Sequence, residues 1–508
     1  MSILRVSIVV TALALLSRVL GLGRDVAVTW AFGASTATDA FYIASSLSNA
    51  AYVVIATSLA SATVPFLAAR HDRADHATDF AAISAVLNVA ALALGVLALA
   101  GLALSGPMAR VLASGGSGDL VWLTGWMIAV MMPTVVLLGV AGIFSGILNH
   151  ARVFAPVAAA PAVLNLTVIL SVALLWPSLG IVSAVVGTVA GSVLFLLMQM
   201  PVLYRIRYRH SWHLRLAGRP VREFALAAGP VIVVALLGYA HVFVDIAIAA
   251  RLGEGTVTAV NVAAKLIQLP QGVIAMGLTT AAFPVISRLL HEGRPAEASD
   301  LCLRLSVVVL LMAVPAAAFL LAEAELVVAA VFGRGTFPEA AVAETGRILA
   351  VTVLALPAFS LNILLLRVFF ALRLWRLAMG IFLVAFLVKL GLGLVLAGPL
   401  GVDAIGVSTV VAVNLNAVLV LLCLERRMPG TFGLRFAAHG GRILLAAVAV
   451  FGAVRLAGEA VAGRGLPDVV ALGLAVLVAA GAGLVCGVVL LRREFGYLRG
   501  LRGAGVRA

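Results

Sequence analysis

Charged side chains interrupt an apolar opening stretch: Ser17–Asp39 reads SRVLGLGRDVAVTWAFGASTATD and carries Arg18, Arg24, Asp25 and Asp39. An arginine at the centre of a spanning helix costs about 2.5–3.5 kcal/mol on insertion scales. Such a group persists when it faces a wet cavity, a partner charge or a ligand. The flat guanidinium fork suits the paired oxygens of a phosphate. An anion site at membrane depth is therefore the chemistry this stretch suggests. Arg18 and Arg24 are six residues apart and do not share a face of an ideal helix. Gly21 and Gly23 lie between them, and a bend there would turn both groups into one chamber.

The elements that must hold these charges are membrane spans. Hydrophobic residues make up 63% of the 508 and charged residues only 11%, against about 25% charged in soluble domains. Apolar stretches of about 20 residues, the length a bilayer demands, recur about fourteen times. They run roughly 3–32, 37–68, 80–105, 119–146, 155–176, 180–204, 224–250, 257–288, 302–322, 342–370, 375–398, 403–424, 440–457 and 467–491. The first lacks a small-residue cleavage site and reads as an uncleaved span. The expected fold is an all-α polytopic membrane protein.

Charge distribution fixes the expected orientation. Arginines crowd alternate connections, most densely at Arg205, Arg207, Arg209, Arg215, Arg219 and Arg222, which places those connections and both termini in the cytoplasm. The net charge of +14 thus follows topology and implies no nucleic-acid partner. The same Arg205–Arg222 segment, interleaved with Tyr204, Tyr208 and Trp212, suits the anionic headgroups of membrane phospholipids.

Catalysis finds no support. Cys302, Cys423 and Cys486 have no metal or redox spacing. The histidines form no zinc-binding helix motif, and neither a nucleophile elbow nor a phosphate-cradling glycine loop is present. No connection reaches the ~40 residues of a self-standing domain. The chain is expected to be no enzyme and to need no metal or organic cofactor.

An internal repeat organises the spans. RDVAVTWAFGASTATDAF from Arg24 aligns with VDIAIAARLGEGTVTAVN from Val244, setting Asp25 on Asp245 and Gly33 on Gly253. The copies lie about six spans apart in the same orientation, a parallel repeat about an axis normal to the membrane. The expected parts are an N-lobe over 1–222, a C-lobe over 223–430, and two extra spans with a cytoplasmic tail over 431–508.

Lysine marks two further positions. Lys265 and Lys389 are the only lysines, and both fall inside spans, where a charge has a function or a partner. Asn49, Asn165, Gln268 and Asn362 bind sugar or peptide, or else form interhelical hydrogen bonds worth under about 1 kcal/mol each. His241, four residues before Asp245, shares its helix face. Pro65, Pro156, Pro161, Pro230, Pro270 and Pro284 are expected to kink their spans.

These residues together resemble a known family. SRVLGLGRD…FGASTATDAF, GILNHARVFAPVAAAPAVLN (146–165), KLIQLPQGVIAMGLTTAAFPVISR (265–288) and VFGRGTF (331–337) are similar to the MurJ/MviN family of lipid II flippases, within the multidrug/oligosaccharidyl-lipid/polysaccharide exporter superfamily. The resemblance covers roughly residues 1–430. It implies two six-span lobes around a central cavity, two extra spans forming a lipid-facing groove, and a monomer in the bacterial cytoplasmic membrane. The implied substrate is undecaprenyl-pyrophosphate carrying a peptidoglycan precursor, moved between leaflets by alternating access.

On that resemblance Arg18, Arg24 and Asp39 match the family's cavity charges, and Lys265, Asn49 and Gln268 complete the expected substrate set. The family's Asp-Arg in the eighth span is here Ala264-Lys265. Tyr52 and Ala56 stand where the second span usually carries arginine and glutamate, and ALRLWRLAMG (371–380) replaces the usual turn before the eleventh. Sodium, bound by some members between the seventh and eleventh spans, would meet Asp245 there. Lys389 stands in place of an acid; either it serves Asp245 as a tethered cation, or the two groups never meet and Lys389 reaches an interface. Asp25, Asp245 and Lys389 are thus the candidate ion or charge-pair positions. A flippase for another polyprenyl-linked oligosaccharide, a drug or cation antiporter, and a non-transporting envelope scaffold are the alternatives. An antiporter would show an acidic or aromatic cavity; a scaffold would carry extra cytoplasmic or wall-binding domains.

Overall fold

Lipid offers no partner to a backbone N–H or C=O, so an apolar run of membrane length must satisfy itself as a helix. The computed structural model describes residues 3–70, 76–212, 218–372, 374–461, 466–492 and 494. Arg73, Arg215, Arg373 and the tail residues Arg493, Arg499, Arg502 and Arg507 lie outside the described residues. Fourteen long helices follow in order: α1 Ile3–Phe32, α2 Thr36–Ala68, α3 His76–Ala103, α4 Gly118–His150, α5 Ala155–Leu179, α6 Val182–Arg205, α7 Arg219–Ala249, α8 Thr256–His291, α9 Pro295–Ala322, α10 Glu339–Phe369, α11 Trp375–Leu400, α12 Asp403–Arg427, α13 Leu434–Val461 and α14 Asp468–Val489. Thirteen segments of the described residues, one in each of α2–α14, are long and apolar enough to cross a membrane. α1, which carries Arg18, Arg24 and Asp25, completes the expected fourteen by its 30-residue length.

Both halves repeat the same local devices. A short helix follows the third span of each, Ser105–Leu112 in one and Ala324–Phe332 in the other. The fifth-to-sixth joint of each half turns on a glycine in the left-handed region, Gly180 at φ 54° and Gly401 at φ 56°. Each glycine closes a helix that has a proline near its end, Pro177 or Pro399.

The chain folds as two compact units, Met1–Thr258 with Gly335–Phe337, and Ala259–Arg334 with Pro338–Ala508. Within the first, α5 pairs with α6 and with α1, α4 lies against α2, and α7 runs along α2 and α3. Close approach drives such packing, because lipid supplies little hydrophobic force between helices. A β-carbon at Gly142 would stand 2.4 Å from the Ala56 carbonyl oxygen, and one at Gly146 would stand 2.4 Å from the Thr63 side chain. The α2–α7 contact is pinned where Arg70 meets Glu223, with Phe66 and Phe224 edge-to-face beside it. Within the second unit, α9 packs Cys302, Leu305 and Val309 on Leu361, Leu365 and Phe369 of α10 and Leu424 of α12. α13 and α14 join α9 through Ile443, Ala446 and Cys486. Buried Glu494 closes that end, bonding His439 at 2.6 Å and Arg442 at 3.0 Å.

α1 is one continuous helix through Gly21 and Gly23, and one expected proline kink is corrected. These glycines make room for α5: β-carbons there would meet Asn165 at 3.3 Å and Ile169 at 3.6 Å. Pro156 sits in the first turn of α5, where its missing N–H costs nothing. Pro65, Pro161 and Pro230 lie within continuous helices, while the side chain of Pro284 lies outside the described residues.

Candidate site on the first helix

Arg24 sits two-thirds along α1 with its side chain only 13% exposed. Its Nε and Nη2 both donate to one oxygen, Oδ1 of the neighbouring Asp25, at 2.9 and 2.8 Å. Nη1 donates to Asn165 Oδ1 on α5 at 3.3 Å, and Asn165 Nδ2 donates to the Ser17 carbonyl. The Gly21 clearance is what lets Asn165 reach both. Asn165 thus makes the interhelical hydrogen bonds that were one of its two expected roles, and it orients the guanidinium.

Asp25 is fully buried, and its second oxygen, Oδ2, has no hydrogen-bond partner. The hydroxyl of Tyr42 on α2 is likewise buried and unsatisfied. Tyr42 interacts electrostatically with Asp25 and Arg24. Tyr239 of α7 also stands within electrostatic reach of Arg24 and donates to the Ser46 carbonyl at 3.1 Å. Neither tyrosine was singled out from the sequence; a phenol in an apolar span carries no periodic signal.

Asp39 does different work from that expected. It is fully buried, with Oδ2 accepting from Gly255 N at 2.7 Å and Oδ1 from Thr258 N and Oγ1 at 2.8 and 2.6 Å. A carboxylate there satisfies the orphan N–H groups at the start of α8. The return contact is Glu254, whose Oε1 accepts from Thr36 N and Oγ1, both at 2.8 Å, at the start of α2. Those bonds hold the Glu254 carboxyl below its ordinary 4.5, against a small opposing effect of burial. The two caps exchange partners between equivalent connections of the repeat, Thr36 matching Thr256 and Thr38 matching Thr258. Thr336 of VFGRGTF joins the same region, donating N and Oγ1 to the Trp30 carbonyl at 3.0 and 3.1 Å. Gly335 is required at that approach, since a β-carbon would lie 2.3 Å from Trp30 O.

Other expected site residues distribute as follows. Arg18, Asn49 and Asp245 are half-buried in the first unit, with His241 one turn before Asp245 on α7. In the second unit Lys265 is half-buried, Gln268 is exposed and Lys389 is 2% exposed. Among the described residues no cluster of histidine, cysteine and carboxylate side chains suits a metal ion.

Residues 28–464 match the family described as lipid II flippase MurJ. The chain belongs to that family. It is 30% identical over 368 residues to the lipid II flippase MurJ of Burkholderia cenocepacia, spanning 69% of this chain and 70% of that protein. The fold is like that of a lipid II flippase MurJ in an inward closed conformation, at TM-score 0.82 and 19% identity, over 96% of this chain and 100% of the other. A multidrug resistance MATE family transporter of the MOP superfamily, in an inward-facing conformation, follows at TM-score 0.68 and 15% identity, over 84% and 99%.

Against the MurJ pattern, the departures on α2 are absorbed by packing. Tyr52 lies in a π-helical turn, Ala51–Ala56, and meets Phe195 edge-to-face at 5.7 Å. It joins an apolar cluster with Leu138, Ala141 and Ala160. Ala56 takes the close approach of Gly142. Where the MurJ resemblance expects charge, this chain has put helix-to-helix contact.

Proposed function

We propose that this chain carries a lipid II-type precursor, a polyprenyl diphosphate bearing a peptidoglycan building block, from the inner to the outer leaflet by alternating access. One observation carries the site assignment: Arg24, a guanidinium at membrane depth, is aimed by Asn165 and Asp25 rather than exposed to lipid. Its fork offers the paired donors a diphosphate accepts. Within the first unit Arg18 adds positive charge and Asn49 serves the head group. The Asp39 and Glu254 caps tie the start of α2 to the start of α8.

The protein works as a monomer in the bacterial cytoplasmic membrane with both termini inside, without catalysis and without a cofactor. Contact with phospholipid headgroups falls to the α6–α7 connection. There Tyr204 and Trp212 are 85% and 86% exposed beside Arg205, Arg207 and Arg209, and Ser84 and Asn88 of α3 hold Tyr208 and Ser211 in place.

Expression in a flippase-depleted bacterium tests the proposal. Rescue of growth by the native chain and loss of rescue by Arg24→Ala, at equal membrane levels, is the expected result. Depletion in the native cell should then accumulate the lipid-linked precursor on the inner leaflet; accumulation of a different polyprenyl-linked glycan would reassign the substrate.

A further inference from the structure

Alternating access needs a seam between packed helices that parts and closes again. By the repeat alone the chain divides between α6 and α7, and α7 would part from α2. The side chains along α7 hold it to the first half instead, at three levels. In its first turn Glu223 grips Arg70, just past the end of α2, and Arg219 joins the same carboxylate at 2.8 Å. The Arg70 guanidinium lies over the Phe66 ring at 3.8 Å, and Phe66 meets Phe224 edge-to-face at 5.4 Å. Further along, Tyr239 donates to the Ser46 carbonyl of α2 at 3.1 Å. Just past the other end, Nε and Nη2 of Arg251 donate to Ser114 Oγ, both at 3.1 Å, on the α3–α4 connection. Gly115, left-handed at φ 87°, makes room there, since a β-carbon would lie 2.8 Å from Arg251 Cγ.

From Glu223 to Arg251 these ties span about 40 Å at 1.5 Å per residue, the whole length of α7. Parting the two helices would strand the Arg70 guanidinium, whose side chain is only 16% exposed, without its carboxylate. Losing the partner of a sheltered charge is far costlier than losing an exposed one. The Tyr239 hydroxyl would lose its acceptor as well. The α6–α7 connection gives no sign of slack in its described part: Ser84 and Asn88 of α3 strap down Tyr208 and Ser211.

We propose that α7 travels with α2 and α3 through the transport cycle and that the α2–α7 seam stays shut, a reading that rests on the alternating-access function proposed above. The diphosphate lipid neither enters nor leaves between α2 and α7. The parting that the cycle needs falls elsewhere than at the division the repeat marks. α1, the counterpart of α7 in the repeat, packs on α5, whereas α7 lies along α2 and α3; the two copies of this helix therefore do different mechanical work.

The test is a reversible bridge across the seam. In the full chain with Cys302, Cys423 and Cys486 replaced by alanine, Phe66→Cys/Phe224→Cys sets one thiol on each side. Ser114→Cys/Arg251→Cys sets a second pair at the other end of α7. Each variant is expressed in a flippase-depleted bacterium and bridged with a short bifunctional methanethiosulfonate, the bridge being read from the mass of the purified chain. A one-armed methanethiosulfonate serves as control. Bridged cells should show no loss of growth rate against the control, for both pairs. Growth arrest by either bridge, reversed by reductant, overturns the shut seam while leaving the transport reading intact. Failure of both pairs to bridge, when each thiol takes the one-armed reagent, overturns it too. If the Phe66/Phe224 variant is lost from the membrane, the Ser114/Arg251 pair carries the test. Absence of rescue by the native chain, before any bridge is made, overturns the transport reading and this one with it.

Discussion

Arg24 and Asp25 are neighbours in the chain, and their pairing sets what a single substitution does. Removing one partner of a buried ion pair strands the other charge, at a cost of about 3–5 kcal/mol. Arg24→Ala should therefore lower the melting temperature in detergent, and Arg24→Ala/Asp25→Asn should recover most of the loss without recovering transport. Thermal unfolding of these three proteins, read beside growth rescue, separates the two effects. Arg24→Lys should keep the charge and still fail to rescue, because an ammonium lacks the planar fork that reaches Asp25 and Asn165 together. The anomaly of a charge in an apolar run was legible in the residues. The partner was not: sequence spacing alone cannot say whether adjacent charges turn toward each other or toward different helices.

Helix ends and helix crossings carry the next set of expectations. Asp39→Ala should destabilise the protein by about 0.5–2 kcal/mol, the usual worth of a cap. The Glu254 cap is pH-dependent. Its folded carboxyl lies below the ordinary 4.5, so its stabilisation is complete above that value and fades as pH falls through the lower folded one. Glu254→Gln should accordingly lose less melting temperature than the native chain between pH 7 and 3.5. At the α2–α4 crossing, Gly142→Ala would drive a β-carbon to 2.4 Å from Ala56 O and should cost about 1–3 kcal/mol. Gly95→Ala, with nothing within 4 Å, should be neutral or stabilising. Spans could be placed from hydropathy to within about seven residues at either end, since helix formation in lipid answers a local demand. The close approach of α5 at Gly21 could not, because glycine permits both a bend and a close neighbour, and nothing local in the sequence names the neighbour.

For the molecule as a whole, the repeat and the compact units part company at α7. That helix opens the second copy of the repeat yet packs along α2 and α3 in the first unit, held by Arg70–Glu223 and Tyr239–Ser46. A repeat records ancestry in the chain, whereas packing depends on which faces meet. The α6–α7 connection leads into this arrangement and should bind anionic lipid at about 1 kcal/mol per arginine near the surface. Replacing Arg205, Arg207 and Arg209 with glutamine should shrink the rise in melting temperature that phosphatidylglycerol produces over a zwitterionic lipid.

Length, apolarity and the alternation of arginine were enough, unaided, to specify a many-span helical membrane protein with a cationic feature in its first span. Those properties are written residue by residue, and a bilayer reads them locally. Which atoms Asp39 caps, what aims Arg24 and why Gly21 is small involve residues 141 to 219 positions apart. Only the folded chain brings such partners within hydrogen-bond reach, so only the tertiary structure could turn a list of buried charges into a cap and an ion pair.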